Sequence, residues 1–438
     1  MSEELKGLLE FLQEGKTSFH AVNKIAELLK EEGYQELAEH QTWKIEAGAK
    51  YFTTRNNSSL IAFEIPRSGY KGFQIVASHS DSPTFKLKEK EEIIEGGKYT
   101  RINVEGYGGM IVSAWFDRPL SVAGRIVTAK DNQVTVSYVD INRDLMMIPN
   151  LAIHMNRDVN NGYKYNLKKD LIPVIGSEAT SGDLLKELAS LAKVSPLDIV
   201  GKDLYLYNRE EGKVWGARNE YFSAPRIDNL ECAYTTLLGF LKAKKQNISL
   251  YCVFDNEEVG SATKQGAGST FLADVLTRIT IALGLSKEEE LRMLADSFMV
   301  SADNAHALHP NYPEKADTTN RVYLNEGIVI KHNANQKYTT DGVSRGIFKG
   351  IMNQAKIKVQ DYANPSDMPG GSTLGNISNT KVSLNTIDIG LPQLAMHSPY
   401  ESAGVADVKT MIEAMKAFFE TQVCHKSNND YNISMFLC

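Results

Sequence analysis

The chain has 438 residues, of which 42% are hydrophobic and 23% are charged, and its formal net charge is −6. This length predicts two or more domains, and the mild acidity argues against a nucleic-acid partner or an anionic membrane surface, since both usually require basic patches. The acidic N-terminal stretch does not have the features of a secretory signal, and no apolar run approaches a membrane span, so we expect a cytoplasmic protein without membrane contact. Its four cysteines contain no C-x-x-C spacing, which indicates neither a disulfide framework nor a zinc ribbon.

Helical and strand patterns follow one another along the chain. The first 45 residues have helical periodicity, and two short apolar stretches, S-L-I-A-F-E-I-P and F-Q-I-V-A-S, then predict strands. From about 87 to 220, alternating stretches and many turn residues favour mainly antiparallel strands, with one helical piece at 181–193. A core-facing helical stripe covers 229–245, and strand and helix patterns alternate from there to a long final helix near 403–421.

This order of elements predicts the fold class and the domain organisation. Alternating strands and helices imply a mixed or parallel sheet that is covered on both faces. We therefore predict one α/β domain that is split in sequence, with residues 1–86 and 225–438 on either side of an inserted β-rich domain at 87–224.

Residues that bind metals follow several of the predicted strands. In open α/β sheets, ligands bind outside the carboxyl ends of the strands. Five segments bring histidine or acidic residues to that edge: His79 and Asp81, Glu257 and Glu258, Asp303, His397, and Asp228 at the mouth of the 229–245 helix.

This set of residues predicts a metal site. Two imidazoles with several carboxylates are the ligands expected for zinc, or for manganese or cobalt where oxygen ligands dominate. Because one ion needs only three protein ligands, so large a set fits two ions, roughly 3.5–4 Å apart and bridged by one carboxylate and one water. Asp81 is placed to accept the second ring N–H of His79, which would orient that imidazole.

Each candidate residue also has an ordinary structural explanation. Asp228 could cap a helix, the pair at 257–258 could favour a helix start through the helix dipole, and Asp303 could begin a turn. Together these explanations need five coincidences at one edge of one sheet, so we favour the metal site. No function is assigned to three isolated histidines, His20, His40 and His425.

Several longer motifs occur along nearly the whole chain: A-S-H-S-D-S-P, I-P-N-L-A-I-H-M-N-R, S-A-P-R-I-D-N-L, N-E-E-V-G-S, S-A-D-N-A-H-A-L-H-P-N-Y, V-I-K-H-N-A-N-Q-K-Y and L-A-M-H-S. With these motifs the sequence resembles the M18 family of metalloaminopeptidases, the aspartyl aminopeptidase and aminopeptidase I group. The resemblance implies a mixed-sheet, zinc-peptidase-like catalytic domain interrupted by a β-rich dimerisation domain. It also implies a homo-oligomer, a dodecamer built from dimers, that acts on peptides.

The resemblance further implies a role for each candidate metal ligand. His79 and Asp303 match ligands of one ion, Glu258 and His397 match ligands of the other, and Asp228 matches the bridge. The implied cofactors are two divalent ions per subunit, with zinc favoured and manganese or cobalt as alternatives.

Further residues match family positions outside the ligand set. Glu257 matches the general base. His154 matches a functional histidine, either a substrate or oxyanion contact from a neighbouring subunit or a direct metal ligand. Lys331 matches a position suited to pairing with an acidic substrate side chain, or is a plain strand-edge lysine, and His306 matches a position linked to assembly. The loop P-S-D-M-P-G-G-S-T at 365–373 is expected to border the pocket and departs in detail from the aspartyl enzymes, which leaves acidic specificity open.

The residues and the resemblance together predict an aminopeptidase. In this hypothesis a water that bridges two metals attacks the peptide, Glu257 acts as general base, and Asp81 and His154 assist. Two alternatives stay open: a dinuclear deacylase of small N-acyl compounds, which uses much the same ligands, and a non-catalytic assembly protein of the same fold. Peptides with free and with acylated N-termini distinguish the two enzymes.

Overall fold

The computed structural model describes residues 1–95, 97–426 and 434–437 of the chain. Two helices and four strands come first: α1 (Glu3–Glu14), α2 (Ser18–Glu31), β1 (Gln35–Glu36), β2 (Lys50–Arg55), β3 (Ser59–Glu64) and β4 (Phe73–His79). Among the described residues, no helix combines the length and the apolar character that crossing a membrane requires.

A strand-rich stretch follows β4. Its strands are β5 (Thr84–Glu95), β6 (Tyr99–Tyr107), β7 (Leu120–Lys130), β8 (Gln133–Asp140), β9 (Val174–Ser177), β10 (Ile199–Asn208), β11 (Lys213–Trp215) and β12 (Tyr221–Ala224). Its two short helices are α3 (Leu167–Asp170) and α4 (Asp183–Leu191). The second helix confirms the helical piece predicted at 181–193.

The rest of the chain alternates between helices and strands. The helices are α5 (Ile227–Lys242), α6 (Phe271–Ala282), α7 (Lys287–Ala295), α8 (Gly342–Gln354), α9 (Leu374–Ser378) and α10 (Val405–Glu420). The strands are β13 (Ile248–Phe254), β14 (Phe298–Ala302), β15 (Ala305–His306), β16 (Ile328–His332), β17 (Val359–Ala363), β18 (Asn385–Gly390), β19 (Pro392–Leu394), β20 (Glu401–Gly404), β21 (Val423–Lys426) and β22 (Ser434–Leu437). Helices α5 and α10 confirm the two long helices predicted for this part.

A nine-stranded mixed sheet is the centre of the fold. Its strand order is β1-β2-β3-β13-β4-β14-β18-β16-β17. The four central strands β13, β4, β14 and β18 run parallel to one another, whereas β3 and β16 pair antiparallel to this group. All seven residues of β13 and all seven of β4 are buried, as expected for parallel strands covered on both faces.

The two faces of this sheet carry separate apolar cores. Along β13, Tyr251 and Val253 pack on the side of α1, α2, α5 and α10, while Leu250 and Phe254 pack on the side of α6. Side chains in a strand point alternately to the two faces, so one short strand serves both cores. The predicted α/β fold with a mixed sheet, covered on both faces, is therefore confirmed.

Most of the strand-rich stretch forms a second sheet with its own core. The order β8-β7-β10-β5-β6-β9 is antiparallel throughout. Phe85, Trp115 and Leu206 belong to the core of this sheet, and α4 packs into it through Leu184 and Leu188. Strands β11 and β12 instead join β20, β19 and β15 in a five-stranded sheet. The division of the chain at 86/87 and 224/225 stays a prediction.

His20, for which the sequence predicted no function, gives rise to an expected pH dependence of stability. Burial, with Lys16 and Arg226 nearby, lowers the pKa of His20 to about 4, although Asp140 acts in the opposite direction. Between pH 6.5 and pH 4 the imidazole of His20 is therefore mostly protonated in the unfolded chain and mostly neutral in the folded chain. This contribution to stability is complete above pH 6.5 and is lost as the pH falls, by at most about 3 kcal/mol.

We expect His20→Asn to remove this dependence. The amide can replace the ring nitrogen that lies 2.8 Å from the Thr17 hydroxyl, and it does not titrate. Melting temperatures at pH 7 and pH 4.5 should show a larger drop for the wild type than for the variant. Equal drops in both proteins would contradict the assignment.

Candidate metal centre

The ends of neighbouring strands bring the candidate ligands together. β4 ends at His79, β13 is followed by the turn Glu257–Val259, and β14 is followed by Asp303. Because β13, β4 and β14 are adjacent and parallel, their carboxyl ends meet at one edge of the sheet. Asp228 reaches this edge from the start of α5, and His397 reaches it shortly after β19.

Close backbone packing fixes the position of Asp303. Its main-chain N–H donates to the carbonyl of Ile389 at 3.0 Å. A Cβ atom at Gly390 would lie 1.9 Å from the main-chain oxygen of Asp303, so only glycine allows β18 to approach this closely.

His79, Asp228 and Asp303 form one group of possible ligands. Nε2 of His79 is 3.5 Å from Oδ1 of Asp228 and 3.5 Å from Oδ1 of Asp303. All three residues are buried, and their ligand atoms lie within 4.8 Å of one another. Atoms this close together could all bind one ion, so these three residues would hold a metal.

His397, Glu258 and Asp228 form a second group. Nε2 of His397 is 3.5 Å from Oδ2 of Asp228 and 3.4 Å from Oε2 of Glu258. Asp228 therefore turns one carboxylate oxygen toward His79 and the other toward His397. A third, overlapping group joins His79 to Glu257 and Glu258.

Both histidines are oriented as metal ligands would be. Nδ1 of His79 donates to the main-chain oxygen of Asp81 at 3.0 Å, and Nδ1 of His397 donates to that of Gly109 at 2.5 Å. A carbonyl oxygen only accepts, so the proton of the neutral ring lies on Nδ1 in each case. Although burial opposes the positive charge, Asp228 and neighbouring groups raise the pKa of both rings, that of His397 to about 9, so a metal bound at Nε2 would take the place of a proton.

The carboxylates carry more negative charge than the protein groups around them balance. Burial raises the pKa of Glu257 to about 8 and that of Glu258 well above its ordinary value, and neighbouring carboxylates such as Asp228 add to both shifts. Oδ1 of Asp228 and Oε1 of Glu258 are buried and accept no hydrogen bond from the described part of the chain. A cation can satisfy buried oxygens of this kind and offset the repulsion between the carboxylates, so the donor set fits divalent metal ions.

Asp81 lies next to His79, as predicted, but its carboxylate has other partners. The main-chain oxygen of Asp81 takes the His79 hydrogen bond, while Oδ1 of its carboxylate is 3.4 Å from the same ring nitrogen. The carboxylate accepts the main-chain N–H groups of Glu257 at 3.1 Å and Glu258 at 3.2 Å. Asp81 thus contacts both the histidine and the glutamate turn.

A cleft with about 670 Å³ of empty space opens beside these groups. Glu257, Lys331, Tyr338 and Tyr362 contribute to its lining, and Gly371, Ser372 and Thr373 bring the end of the 365–373 loop to its wall. Lys331 is buried, and its Nζ is 3.5 Å from Oδ2 of Asp303. Although burial opposes the charge of Lys331, Asp303 and Tyr338 raise its pKa, so the ammonium group stays charged.

The other two predicted histidines differ in their placement. His306, at the end of β15, lines the cleft. His154 is exposed in the stretch between β8 and α3, and it is not among the residues that line the cleft or form the ligand groups. The structure of one chain therefore does not bring His154 to the site.

Glu401 is a site residue that sequence reasoning missed. It is buried at the start of β20, where Oε2 accepts the main-chain N–H of Asp228 at 3.0 Å and Oε1 accepts that of His397 at 2.8 Å. One carboxylate thus holds the backbone of two candidate ligands. The only signal in the sequence is an acidic residue that opens a short apolar stretch before the final helix.

Comparisons with known proteins extend over nearly the full chain. The family described as aminopeptidase I zinc metalloprotease (M18) matches residues 11–419. A Clostridium novyi (strain NT) protein named probable M18 family aminopeptidase 2 is 44% identical over 423 residues, which are 94% of this chain and 97% of that protein. A probable aspartyl aminopeptidase of Ricinus communis is 36% identical, over 94% of each chain. The solved structure of the S. cerevisiae mApe1 dodecamer superposes with a TM-score of 0.83 at 27% identity, and covers 95% of this chain and 96% of that one.

Proposed function

The chain belongs to the M18 family of aminopeptidases, a zinc metalloprotease family, and from this membership we propose that it removes N-terminal residues from peptides with two divalent metal ions. The observation that carries the proposal is the position of Asp228. Its two carboxylate oxygens face two different ligand groups, each of which contains one histidine and one further carboxylate. A shared carboxylate of this kind is what a dinuclear site requires.

Each ion would have two ligands of its own and would share Asp228 with the other ion. His79 and Asp303 would hold one ion, Glu258 and His397 the other, and Asp228 both. When bound, the ions supply Lewis acidity that polarises the scissile carbonyl and lowers the pKa of water. Zinc fits this mixture of imidazole and carboxylate ligands, and manganese or cobalt are the alternatives.

Glu257 is the proposed general base. It lines the cleft, where substrate binds, whereas the carboxylate of Glu258 is directed toward His397 at 3.4 Å. The Glu257 carboxylate takes a proton from the attacking water as the oxygen bonds to the carbonyl carbon. It then passes that proton to the leaving nitrogen as the C–N bond breaks. Asp81 holds the turn on which Glu257 lies.

Lys331 is the proposed contact for an acidic first residue of the substrate. It is a buried cation that lines the cleft, and its Nζ lies 5.5 Å from the centroid of the Tyr338 ring. Asp303 balances part of its charge. One relative carries the name probable aspartyl aminopeptidase, which agrees with an acidic preference here.

We expect Lys331→Met to reduce kcat/KM for acidic substrates at least about tenfold, because the variant keeps the length of the side chain but loses its charge. Amides of aspartate, leucine and arginine form the test panel, with metal content measured in parallel because Lys331 also contacts Asp303. Lys337→Met, at an exposed lysine nearby, is the matched control. Equal losses for all three amides would remove the specificity role.

The aminopeptidase and deacylase hypotheses differ in what they require at the substrate nitrogen. An aminopeptidase needs a free α-amine, so metal-loaded protein should cleave aspartate amide and leave its N-acetyl derivative intact. The reverse preference would establish the deacylase. Absence of both metal binding and hydrolysis would instead support a non-catalytic assembly protein.

We further propose that copies of the chain assemble and that His154 acts in a neighbouring copy, where it contacts substrate or the oxyanion. His154 is flanked by apolar side chains that are exposed in the single chain: Leu151 by 56%, Ile153 by 47% and Met155 by 76%. Contact with a second copy would cover them. One structural relative is a dodecamer, and a mass measured in solution tests whether this chain is also one. A direct metal contact remains the alternative role of His154.

A further inference from the structure

A tyrosine of the six-stranded sheet reaches the turn that carries the two glutamates. Tyr107 is the last residue of β6. Its hydroxyl donates to Oδ2 of Asp81 at 2.7 Å and accepts from Nδ2 of Asn256 at 2.8 Å. Asn256 directly precedes Glu257, so this hydroxyl is linked to the turn from two sides.

The two partners of Tyr107 hold the backbone of the turn. Asp81 is 4% exposed and accepts the N–H groups of Glu257 and Glu258. Asn256 has a positive φ of 63°, a conformation that is uncommon outside glycine but that asparagine adopts more readily than most residues. Its side-chain oxygen accepts from Thr263 at 2.8 Å and from Gln265 at 2.7 Å, and these hydrogen bonds hold the residue in place.

We propose that Tyr107 is a positioning residue for Glu257, which holds the turn in place through Asp81 and Asn256. The inference rests on the proposed function, because it assumes that Glu257 moves the proton. It also links the six-stranded sheet to the site, because Tyr107 is the last residue of β6.

The hydroxyl, rather than the ring, carries this role. Hydrogen bonds to an ionised carboxylate are stronger than neutral ones, and removal of this donor also leaves the Asn256 amide without its acceptor. The ring packs separately, edge-on against Tyr205 with centroids 5.7 Å apart. Tyr107→Phe therefore keeps the packing and removes only the two hydrogen bonds.

We expect Tyr107→Phe to lower kcat about tenfold, the effect of losing a charge-assisted hydrogen bond, while KM and metal content stay unchanged. Tyr205→Phe is the matched control, because its ring belongs to the same pair and its hydroxyl lies outside the network. This control should retain the wild-type kcat. A loss in both variants, or a change in KM alone, would overturn the proposal.

A double variant tests whether Tyr107 acts through Glu257. In the Glu257→Gln background, Tyr107→Phe should change the residual kcat less than about twofold, since residues that act as a unit are not additive. The same tenfold loss in both backgrounds would show that Tyr107 acts elsewhere. If Glu257→Gln alone kept full activity, the proposed function would be contradicted. The single variant Tyr107→Phe would still show separately whether Tyr107 affects kcat.

Discussion

Glu257→Gln should lower kcat about 10²–10⁴-fold, the usual contribution of a general base, while the protein keeps its metal. Glutamine has the same size and can fill the same place in the cleft, but it cannot accept a proton from water. Peptide turnover, with metal content determined on the same samples, measures both effects. The proposed mechanism assigns different roles to Glu257 and Glu258, and this prediction tests that difference.

Glu258 provides the control for this prediction. Its carboxylate is 3.4 Å from Nε2 of His397 and belongs to the second ligand group, so Glu258→Ala should lose metal as well as activity. The two variants change neighbouring residues of one turn, and general damage to that turn would affect them alike. Equal metal content and equal activity in both would contradict the assignment.

A second large effect concerns the stability of the metal-free protein. Glu258 is held against Asp228, Asp81 and Glu257, and its Oε1 accepts no hydrogen bond from the described residues. Without an ion, these buried carboxylates repel one another. We therefore expect metal-free Glu258→Gln to melt at a higher temperature than the metal-free wild type, because the substitution removes a buried carboxyl group that must either carry a charge or bind a proton there.

With added metal, we expect the wild type to have a higher melting temperature than Glu258→Gln. Binding to the folded state stabilises by about 4 kcal/mol when the free metal is 1,000 times its dissociation constant. Loss of a ligand should weaken binding at least about 100-fold, so Zn²⁺ should raise the melting temperature of the wild type much more than that of Glu258→Gln. Thermal melts with a chelator and with added Zn²⁺ measure both states. Equal increases would mean that Glu258 does not bind the ion.

The sequence predicted the ends of the central strands well. Buried parallel strands are unbroken apolar runs, so the positions of His79, Glu257 and Asp303 directly after such runs could be recognised. The geometry of open sheets then places these residues at one edge. Asp228 and His397 were harder to place, because Asp228 reaches the edge from a helix start and His397 reaches it from a loop.

The supporting contacts could not be predicted in the same way. Glu401 and Tyr107 act through hydrogen bonds that depend on how distant parts of the chain pack, and no local pattern encodes this. The carboxylate of Asp81 was expected to orient His79, but the main-chain oxygen of Asp81 takes that hydrogen bond. His154 lies outside the cleft of one chain, and its proposed contact in a neighbouring copy depends on an assembly that the sequence of one copy does not describe.

The path of the chain between His79 and Asp228 has a consequence for folding. The six-stranded sheet is formed entirely by residues between these two candidate ligands. During synthesis, His79 therefore leaves the ribosome well before Asp228. The group of His79, Asp228 and Asp303 can form only after all residues of the intervening sheet have been synthesised. Contacts so distant in sequence form slowly. Metal affinity should consequently appear late in folding, and zinc uptake can report that a newly made chain has reached its native state.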